Sequence, residues 1–388
     1  MLFTGCWDKV ELENRGFIVS FGLDQYDKSN KSLSLEGEDV QNRYTVSIAM
    51  PKVMDMKENA VKDQNKIVKT ADSPTVSSGI QLLDTSSSQK LYVGQAKLLV
   101  LGKDLLSGED LFRQVVDAME RNRDISRKLY LMSTKEQAEA ILKLNLPGEP
   151  ELGIFVDNYY KNSGSSGFYK TLEKVISDLH STGCTLIPEI EKRLETERED
   201  EDKETDADNG NTEEQAGEIF FGGCAVIKDY QLAGWLNDIE TRGYAWVMGN
   251  CRDSEITIKT DNGYMPFKVS KSKARIKFSQ DGGKLECQIR VNVSGAISEY
   301  NSAADLNNMN KLNAYKASLE QAISKEITQT SARLQTEIGA DIYNFKDLLR
   351  KKNRQLFLTY GEDWERHFRE MHIIPAIKVD IISIGTII

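Results

Sequence analysis

The cysteine at position 6 is the residue whose setting most directly predicts chemistry. It closes the tetrapeptide Phe3-Thr4-Gly5-Cys6, an apolar residue followed by two small ones and a thiol. Small residues let a signal peptidase close on the chain, and a thiol can carry diacylglycerol through a thioether. Two acyl chains on one residue anchor a protein stably to a bilayer. The tetrapeptide resembles a bacterial lipobox and predicts lipidation of Cys6.

The residues around Cys6 differ from a complete export signal in two ways. Phe3 stands where leucine is usual. The five residues before Cys6 hold neither a positively charged region nor an apolar stretch of roughly 7–15 residues. We therefore expect that the signal peptide is truncated in this chain. On the tetrapeptide alone, an N-terminal cysteine without a function is the alternative.

The histidines, glycine-rich segments and carboxylates form no recognised catalytic or metal-binding pattern. His180, His367 and His372 lie in no H-E-x-x-H motif. Residues 163–167 lack the Gly-Lys pair of a phosphate loop, and no dinucleotide-binding or G-x-S-x-G motif occurs. Carboxylates concentrate in a polar segment, where no dry pocket could raise a pKa. The sequence therefore predicts no enzyme activity, no catalytic residues, no cofactor and no metal site.

The other four cysteines fit a structural role better than a metal site. None of Cys184, Cys224, Cys251 and Cys287 belongs to a C-x-x-C pair, and the total of five is odd. A zinc framework is therefore not predicted. We expect these four to be small buried residues in or near strands.

Length and composition predict a globular protein of two or three domains. The chain has 388 residues, of which 39% are hydrophobic and 28% charged. No run of 18 apolar residues occurs. The net charge of −10 arises within residues 189–218, which hold 14 acidic and 4 basic residues. The rest is balanced, so the totals favour neither nucleic acid nor an anionic membrane, and we predict no nucleic-acid partner.

An acidic segment divides the chain. Residues 195–217 contain no large apolar side chain, so they cannot offset their ordering entropy by burial. We predict a flexible linker here, with an acidic binding motif for a basic partner as the alternative. It separates an N-terminal region, 1–194, from a C-terminal α+β domain, 218–388.

Hydrophobic patterns in the N-terminal region alternate between strands and helices. This order predicts right-handed crossovers and locally parallel strands. The predicted strands are 15–23, 44–50, 91–101, 128–133 and 185–187, the last ending before Pro188. The predicted helices are 80–90, 108–122, 135–144, 151–163 and 168–180.

The C-terminal region is more regular. We predict a helix capped by Asn237 or Asp238, and a long helix at 306–338. The long helix could pair as a coiled coil, but one apolar stripe is what packing on its own sheet requires. In the strand at 265–279 the buried parity switches, which predicts a bulge. The other predicted elements are a hairpin at 219–227 and 231–235, strands at 255–259, at 285–298 and from 376, and helices at 341–352 and 354–369.

These patterns predict a multidomain α+β fold. Its sheets are mixed or antiparallel, each is packed with helices, and one long helix lies in the C-terminal half.

Short segments spread along the chain together resemble a known family. They are Cys6-Trp7-Asp8, Gly22-Leu23-Asp24, 96–102, 121–125, Gly222-Gly223-Cys224, Gly234-Trp235-Leu236, 240–243, 340–345 and Asp363-Trp364. In order and spacing they resemble the Ger(x)C family, the C subunits of spore germinant receptors in spore-forming Bacillota. One departure is Cys224, where the family more often has threonine.

This resemblance implies a lipoprotein of three α+β domains, so that the N-terminal region would hold two subdomains. The protein would be lipid-anchored through Cys6 on the outer face of the inner spore membrane. Its partners would be the integral-membrane A and B subunits of the receptor. The family is not catalytic, and the acidic linker is an elaboration of this chain.

Three functions follow as hypotheses. The first is a membrane-tethered receptor subunit acting by protein–protein contacts in spore germination. The second is a lipoprotein that binds a small-molecule germinant directly, like a solute-binding protein, which would require a deep pocket between lobes. The third is an enzyme acting on envelope polymers, whose sign would be a buried carboxylate pair in a long cleft.

Overall fold

The structure is a computed structural model. It describes residues 14–29, 32–34, 40–52, 66–108, 110–146, 148–149, 151–162, 168–194, 217–260, 263–298 and 309–383. In these ranges no helix combines the length and the apolar character needed to cross a bilayer.

Sixteen strands and eleven helices lie in the described ranges. The strands are β1 (Arg15–Phe17), β2 (Ser20–Gln25), β3 (Leu33–Ser34), β4 (Tyr44–Pro51), β5 (Lys66–Ser73), β6 (Lys90–Tyr92), β7 (Leu98–Gly102), β8 (Tyr130–Thr134), β9 (Lys170–Thr171), β10 (Cys184–Leu194), β11 (Gly217–Lys228), β12 (Gln231–Leu236), β13 (Glu255–Thr260), β14 (Gly263–Asp281), β15 (Lys284–Ile297) and β16 (His372–Ser383). The helices are α1 (Val76–Thr85), α2 (Lys103–Ser107), α3 (Leu111–Arg121), α4 (Ala138–Lys143), α5 (Leu152–Asn162), α6 (Leu172–Thr182), α7 (Asp238–Met248), α8 (Met309–Arg333), α9 (Phe345–Lys352), α10 (Arg354–Tyr360) and α11 (Trp364–Glu370).

A mixed sheet of ten strands forms the larger layer. Its order is β12-β11-β10-β8-β7-β2-β4-β5-β3, with β9 paired to β8. The neighbours β2, β7 and β8 run parallel, as the alternation of strands and helices predicts. Helices α2, α3 and α6 cover one face, while α4 and α5 cover the other. A separate two-stranded sheet joins β1 to β6.

The β10–β11 hairpin joins this sheet to the C-terminal part of the chain. Its strands pair antiparallel up to Leu194 opposite Gly217, on either side of residues 195–216. Side chains alternate across the hairpin: Ile187 and Ile227 enter the N-terminal core, while Leu186 and Val226 enter the C-terminal core. The two halves are therefore built on opposite faces of one hairpin. Residues 195–216 lie outside the described ranges, and the predicted linker and domain bounds stay predictions.

A four-stranded sheet of order β13-β14-β15-β16 forms the C-terminal layer. Cys287, Ile289, Val291 and Val293 project from β15 to one face and share a core with Leu319, Ile323 and Ile327 of α8, which packs on this sheet mainly against β16. Helix α8 ends in a π-helical turn, Leu334–Ile338, so the helical run from Met309 covers 30 residues. The predicted α+β class and long helix are confirmed, and the apolar stripe of α8 packs on its own sheet.

Two detailed predictions are also confirmed. Asn237 caps α7 by accepting a hydrogen bond from the N–H of Glu240, whose carboxylate accepts the N–H of Asn237, both at 2.9 Å. The register of β14 shifts between Val269 and Lys271, where the parity change predicts a bulge.

The predicted strand at 91–101 is wrong as one element. It consists of β6, which pairs with β1, and β7, which pairs with β2. Between them a tight turn forms, in which the N–H of Ala96 donates to the carbonyl of Val93 at 3.1 Å. Gly94 and Gln95 stand at this turn and interrupt the apolar residues, a local signal that the prediction of one strand did not use.

The predicted end of the strand before Pro188 is also wrong, since β10 continues to Leu194. Proline has no N–H to donate to a ladder, and the β10–β11 register shifts between Pro188 and Ile190. On the other side, the Ser133 hydroxyl donates to the carbonyls of Ile187 and Pro188, both at 3.0 Å. The strand therefore continues beyond Pro188, because the bulge accommodates the missing N–H and the Ser133 hydroxyl bonds the neighbouring carbonyls.

Candidate functional site

Cys6, the predicted lipidation site, lies in residues 1–13, outside the described ranges. Its modification stays a prediction. The glycine-rich segment 163–167 is outside them as well. The four other cysteines are buried and free, and burial raises the pKa of the thiols of Cys184 and Cys224 to about 12. The prediction that these are small buried residues is confirmed.

The strongest candidate for a binding site is a cleft where the two halves meet. It has a volume of about 770 Å³ and opens between α5, the start of α6, β11 and α7. Aromatic side chains form much of its wall: Tyr159, Tyr160, Phe168, Tyr169, Phe221 and Tyr244. The charged side chains that line it are Lys170, Lys174, Glu189, Asp238, Arg242 and Arg252. A concave site with aromatic walls can bind a small molecule, and the six charged groups would favour a polar or charged one.

Glu189 is the buried carboxylate of this cleft. Its side chain is 1% exposed and lies 2.8 Å from the ammonium of Lys135. Burial raises the pKa of the Glu189 carboxyl to about 7, against the opposing attraction of Lys135. The Lys135 ammonium also sits 5.1 Å from the centre of the Trp235 ring.

The Gly222-Gly223 segment brings the backbone of β11 close to Glu189. Gly223 has a φ of +76°, a conformation that side-chain-bearing residues rarely adopt. A Cβ at this position would lie 2.5 Å from the carbonyl oxygen of Leu236 and 3.0 Å from Oε2 of Glu189. Glycine is therefore required both by the local conformation and by the packing of the buried carboxylate.

Helices α7 and α8 are joined by a buried ion pair. Glu326 accepts hydrogen bonds from Arg242 Nε at 3.0 Å and from Trp246 Nε1 at 2.9 Å. The helices approach closely at Gly243, where a Cβ would lie 2.8 Å from the carbonyl oxygen of Glu326. Thus the motif residues at 240–243 lock a helix crossing.

The two motif segments near the C-terminus meet each other. The carboxylate of Asp341 accepts hydrogen bonds from Phe345 N–H at 3.1 Å, Lys346 N–H at 3.0 Å and Trp364 Nε1 at 3.0 Å. Burial raises the pKa of Asp341 to about 6, although these donors act in the opposite direction. A smaller cavity of about 470 Å³ lies beside this group, with Lys228 and Glu365 at its edge.

Asp24, from the motif segment Gly22-Leu23-Asp24, also has a structural position. It is 6% exposed, and its carboxylate accepts the N–H groups of Ala138 at 2.8 Å and Glu139 at 3.2 Å. It therefore supplies the N-terminal cap of α4 from a distant strand. Burial raises its pKa to about 6.

These buried carboxylates each stabilise contacts between elements of the fold. Glu189, Glu326 and Asp341 are each engaged by a cation or by N–H donors. No group of three or more His, Cys, Asp or Glu side chains suited to a metal ion occurs in the described ranges. What the geometry can do chemically is receive a small molecule in the cleft and present charged surfaces to a partner.

Sequence reasoning missed Glu189, Lys135 and Glu326. A signal existed only for Glu326, which lies three residues after Ile323 and four before Thr330 on the apolar stripe of α8. A charged residue at such a position needs a buried partner. Glu189 and Lys135 are 54 residues apart, and no local pattern links them.

Two protein-family models together match most of the chain. The family model described as "Spore germination protein N-terminal domain" matches residues 8–192. The model described as "Spore germination B3/ GerAC like, C-terminal" matches residues 222–385.

Individual relatives agree with these family models. Spore germination protein B3 of Bacillus subtilis (strain 168) is 22% identical over 397 residues, covering 100% of this chain and 96% of its own. Spore germination protein A3 of the same organism is 22% identical over 303 residues, covering 77% of this chain and 71% of its own. The structure titled "Crystal Structure of the GerBC protein" aligns with a TM-score of 0.59 at 18% identity, covering 91% of this chain and 99% of that one.

Proposed function

The chain belongs to the Ger(x)C family of spore germination proteins, and on this premise we propose that it is a non-catalytic subunit of a germinant receptor. It is tethered to the membrane through a lipid on Cys6. It acts by protein–protein contacts with the integral-membrane A and B subunits, at the outer face of the inner spore membrane. The observation that carries the proposal is the match of both family models, in order, over residues 8–192 and 222–385.

The positions of the motif residues support a role in assembly rather than catalysis. Asp24 caps a helix, Arg242 pairs with a carboxylate across two helices, and Asp341 gathers N–H donors from three residues. A general acid or base needs room for a substrate proton at its carboxylate. The carboxylate oxygens of Asp24, Glu326 and Asp341 already accept hydrogen bonds from donors within the protein.

The lipid tether is tested by a Cys6→Ala variant of the native gene product in its spore-forming host. We expect the variant to leave the membrane fraction, to carry no acyl chains and to impair nutrient-triggered germination. Alanine has no thiol, so the thioether to diacylglycerol cannot form at this position. Fractionation with mass spectrometry of the N-terminal peptide measures the first two effects. A Cys251→Ala variant is the control, since that thiol is buried. Normal membrane retention of the Cys6→Ala protein would contradict the tether.

The aromatic cleft favours direct binding of a small germinant as a second candidate function. Its volume of about 770 Å³ lies in the range of known ligand sites, roughly 300–1,000 Å³. The half-exposed Tyr169 and the exposed Arg252 line it without being buried in either core.

Calorimetry with amino acids and sugars tests this candidate. We expect a Tyr169→Ala/Arg252→Ala variant to lose at least tenfold in affinity for whichever compound binds, because it removes a ring face and a charge from the wall of the cleft. A Tyr264→Ala/Arg290→Ala variant removes the same residue types from positions that do not line the cleft and serves as the control. Absence of heat and of any thermal shift with every compound would eliminate direct binding.

A further inference from the structure

The four-stranded sheet β13–β16 has one face that no described part of the chain covers. Helices α7, α8 and α10 pack on the other face, where Phe267, Ile289 and Val291 are buried. Along β14 the residues after the bulge alternate between inward Ala274, Ile276 and Phe278 and outward residues of odd number. The outward residues of all four strands form one open surface, which we call the outer sheet face.

The outer sheet face is basic, although the chain as a whole is acidic. Its exposed cations are Lys259, Lys268, Lys271, Lys273, Arg275, Lys277, Arg290 and Lys378. Its acidic residues are Glu255, Glu286 and Asp380, and at the turn that ends β14 Asp281 lies opposite a further lysine, Lys284. Four of the cations follow one another on β14 at every second residue, a row of about 20 Å at roughly 3.4 Å per residue.

These cations have no ion-pair partner among the residues that the structure describes, although Lys268 lies opposite Glu255 in the register. By contrast, Lys135, Arg242 and Arg333 each pair with a carboxylate. Arg275 and Arg290 are even direct register partners on adjacent strands. Like charges placed opposite each other destabilise a sheet. The clustered positive charges therefore destabilise the sheet, and binding of an anionic partner would relieve their repulsion.

Apolar side chains lie among the cations on the same face. Tyr264 is 72% exposed on β14 next to Lys259, and Ile374 is 42% exposed on β16 next to Gln288. Lysine stems, tyrosine rings and single aliphatic side chains are the groups that proteins place at a membrane–water boundary.

We propose that the outer sheet face docks on an anionic phospholipid surface, with the lysines and arginines against the phosphates. The proposal builds on the tether through Cys6, which would keep this face near a bilayer, but the contact itself requires no acyl chain. The face is broad and open, about 20 Å along β14 and four strands wide, and fits a flat lattice of charges. A nucleic-acid strand would need a groove or a row of stacking rings, and Tyr264 alone does not supply one.

The negative net charge of the chain makes binding to anionic vesicles an informative test of this proposal. The whole chain carries −10, so its total charge should repel an anionic vesicle. Binding to such vesicles would therefore report a local basic surface. The attraction should fall with ionic strength, because exposed charges are screened within about 10 Å at 0.1 M salt.

The experiment is co-sedimentation of the unlipidated 388-residue chain with vesicles of phosphatidylcholine, with or without about 30% phosphatidylglycerol. We expect binding only with phosphatidylglycerol, and loss of it in high salt. A variant with Lys271→Gln, Lys273→Gln, Arg275→Gln and Lys277→Gln should bind at least about a hundredfold more weakly, at roughly fivefold per charge.

The matched control removes three lysines and one arginine elsewhere. Lys28, Lys103, Arg123 and Lys128 are exposed and belong to no ion pair in the described ranges. Their replacement by glutamine should leave vesicle binding unchanged. Circular dichroism of both variants checks that the fold is intact.

Three results would overturn the proposal. They are no binding to phosphatidylglycerol vesicles, equal loss in both quadruple variants, and binding to polyglutamate without binding to vesicles. The last would assign the face to an acidic protein partner. None of these results depends on Cys6, so failure here and failure of the tether are distinguishable.

Discussion

Replacement of Glu326 by alanine is expected to lower the free energy of unfolding by about 3 kcal/mol or more. The carboxylate is nearly buried and is the acceptor for both the Arg242 guanidinium and the Trp246 indole N–H. Its removal leaves the Trp246 N–H without its acceptor and the largely buried Arg242 guanidinium without a carboxylate, with only the Glu255 carbonyl, at 3.2 Å, as a remaining acceptor. Such unpaired buried groups cost more than the intact pair contributes.

Urea denaturation of two further variants makes this test specific. Glu337 pairs with Arg333 at 3.1 Å but is 67% exposed, so Glu337→Ala should change stability by at most about 0.5 kcal/mol. The double variant Arg242→Met/Glu326→Leu should lose less than Glu326→Ala, because no unpaired charge remains. Equal small losses for Glu326→Ala and Glu337→Ala would contradict a buried joint.

A falling stability between about pH 5 and pH 8 is the second large effect that we expect, and Glu151→Gln should weaken it. Glu151 is 1% exposed, and burial raises its pKa from 4.5 to about 7. Between these values the folded protein holds a proton that the unfolded chain has released. The free energy of unfolding therefore decreases as the pH rises and levels off above pH 7.

The size of the effect follows from the same shift. Each pKa unit corresponds to about 1.4 kcal/mol, so Glu151 alone contributes about 3 kcal/mol over the window. Burial raises the pKa of Glu189 to about 7 and that of Asp24 to about 6, which adds to the same trend. Urea midpoints at pH 5.5 and 7.5 measure it. Glu173→Gln, at an exposed position of α6, should retain the full dependence; retention by Glu151→Gln would contradict the assignment.

Local patterns predicted the elements whose causes are local. The cap of α7 needs only Asn237 and Glu240, three residues apart, and the bulge in β14 follows from a parity change within one strand. The long helix follows from a single apolar stripe. In each case the deciding contacts lie within a few residues, so the sequence contains the signal.

Contacts between distant residues set what the sequence did not reveal. Asp24 caps α4 from 114 residues away, and Ser133 carries β10 past Pro188 from another strand. The cleft forms only because α5 and α7 meet across β11. No pattern within a short window records these encounters.

The counts of charged residues describe the chain on average, but they do not reveal that cations concentrate on the outer sheet face. Outside residues 189–218, acidic and basic residues balance, which argued against an anionic membrane. The alternation of β14 concentrates cations on one side of a sheet, since every second residue faces the same way. Only the strand register shows that Arg275 and Arg290 lie side by side.

The register of the β10–β11 hairpin has a consequence for how this chain tolerates change. Leu194 and Gly217 are register partners, so the two ends of the intervening segment are fixed next to each other. Adding or deleting residues between them shifts neither half against the other, since their alignment is fixed by the ladder itself. Evolution can therefore vary that stretch at little cost, and an experimenter can place a reporter or a protease site there while both halves stay fastened to the same pair of strands.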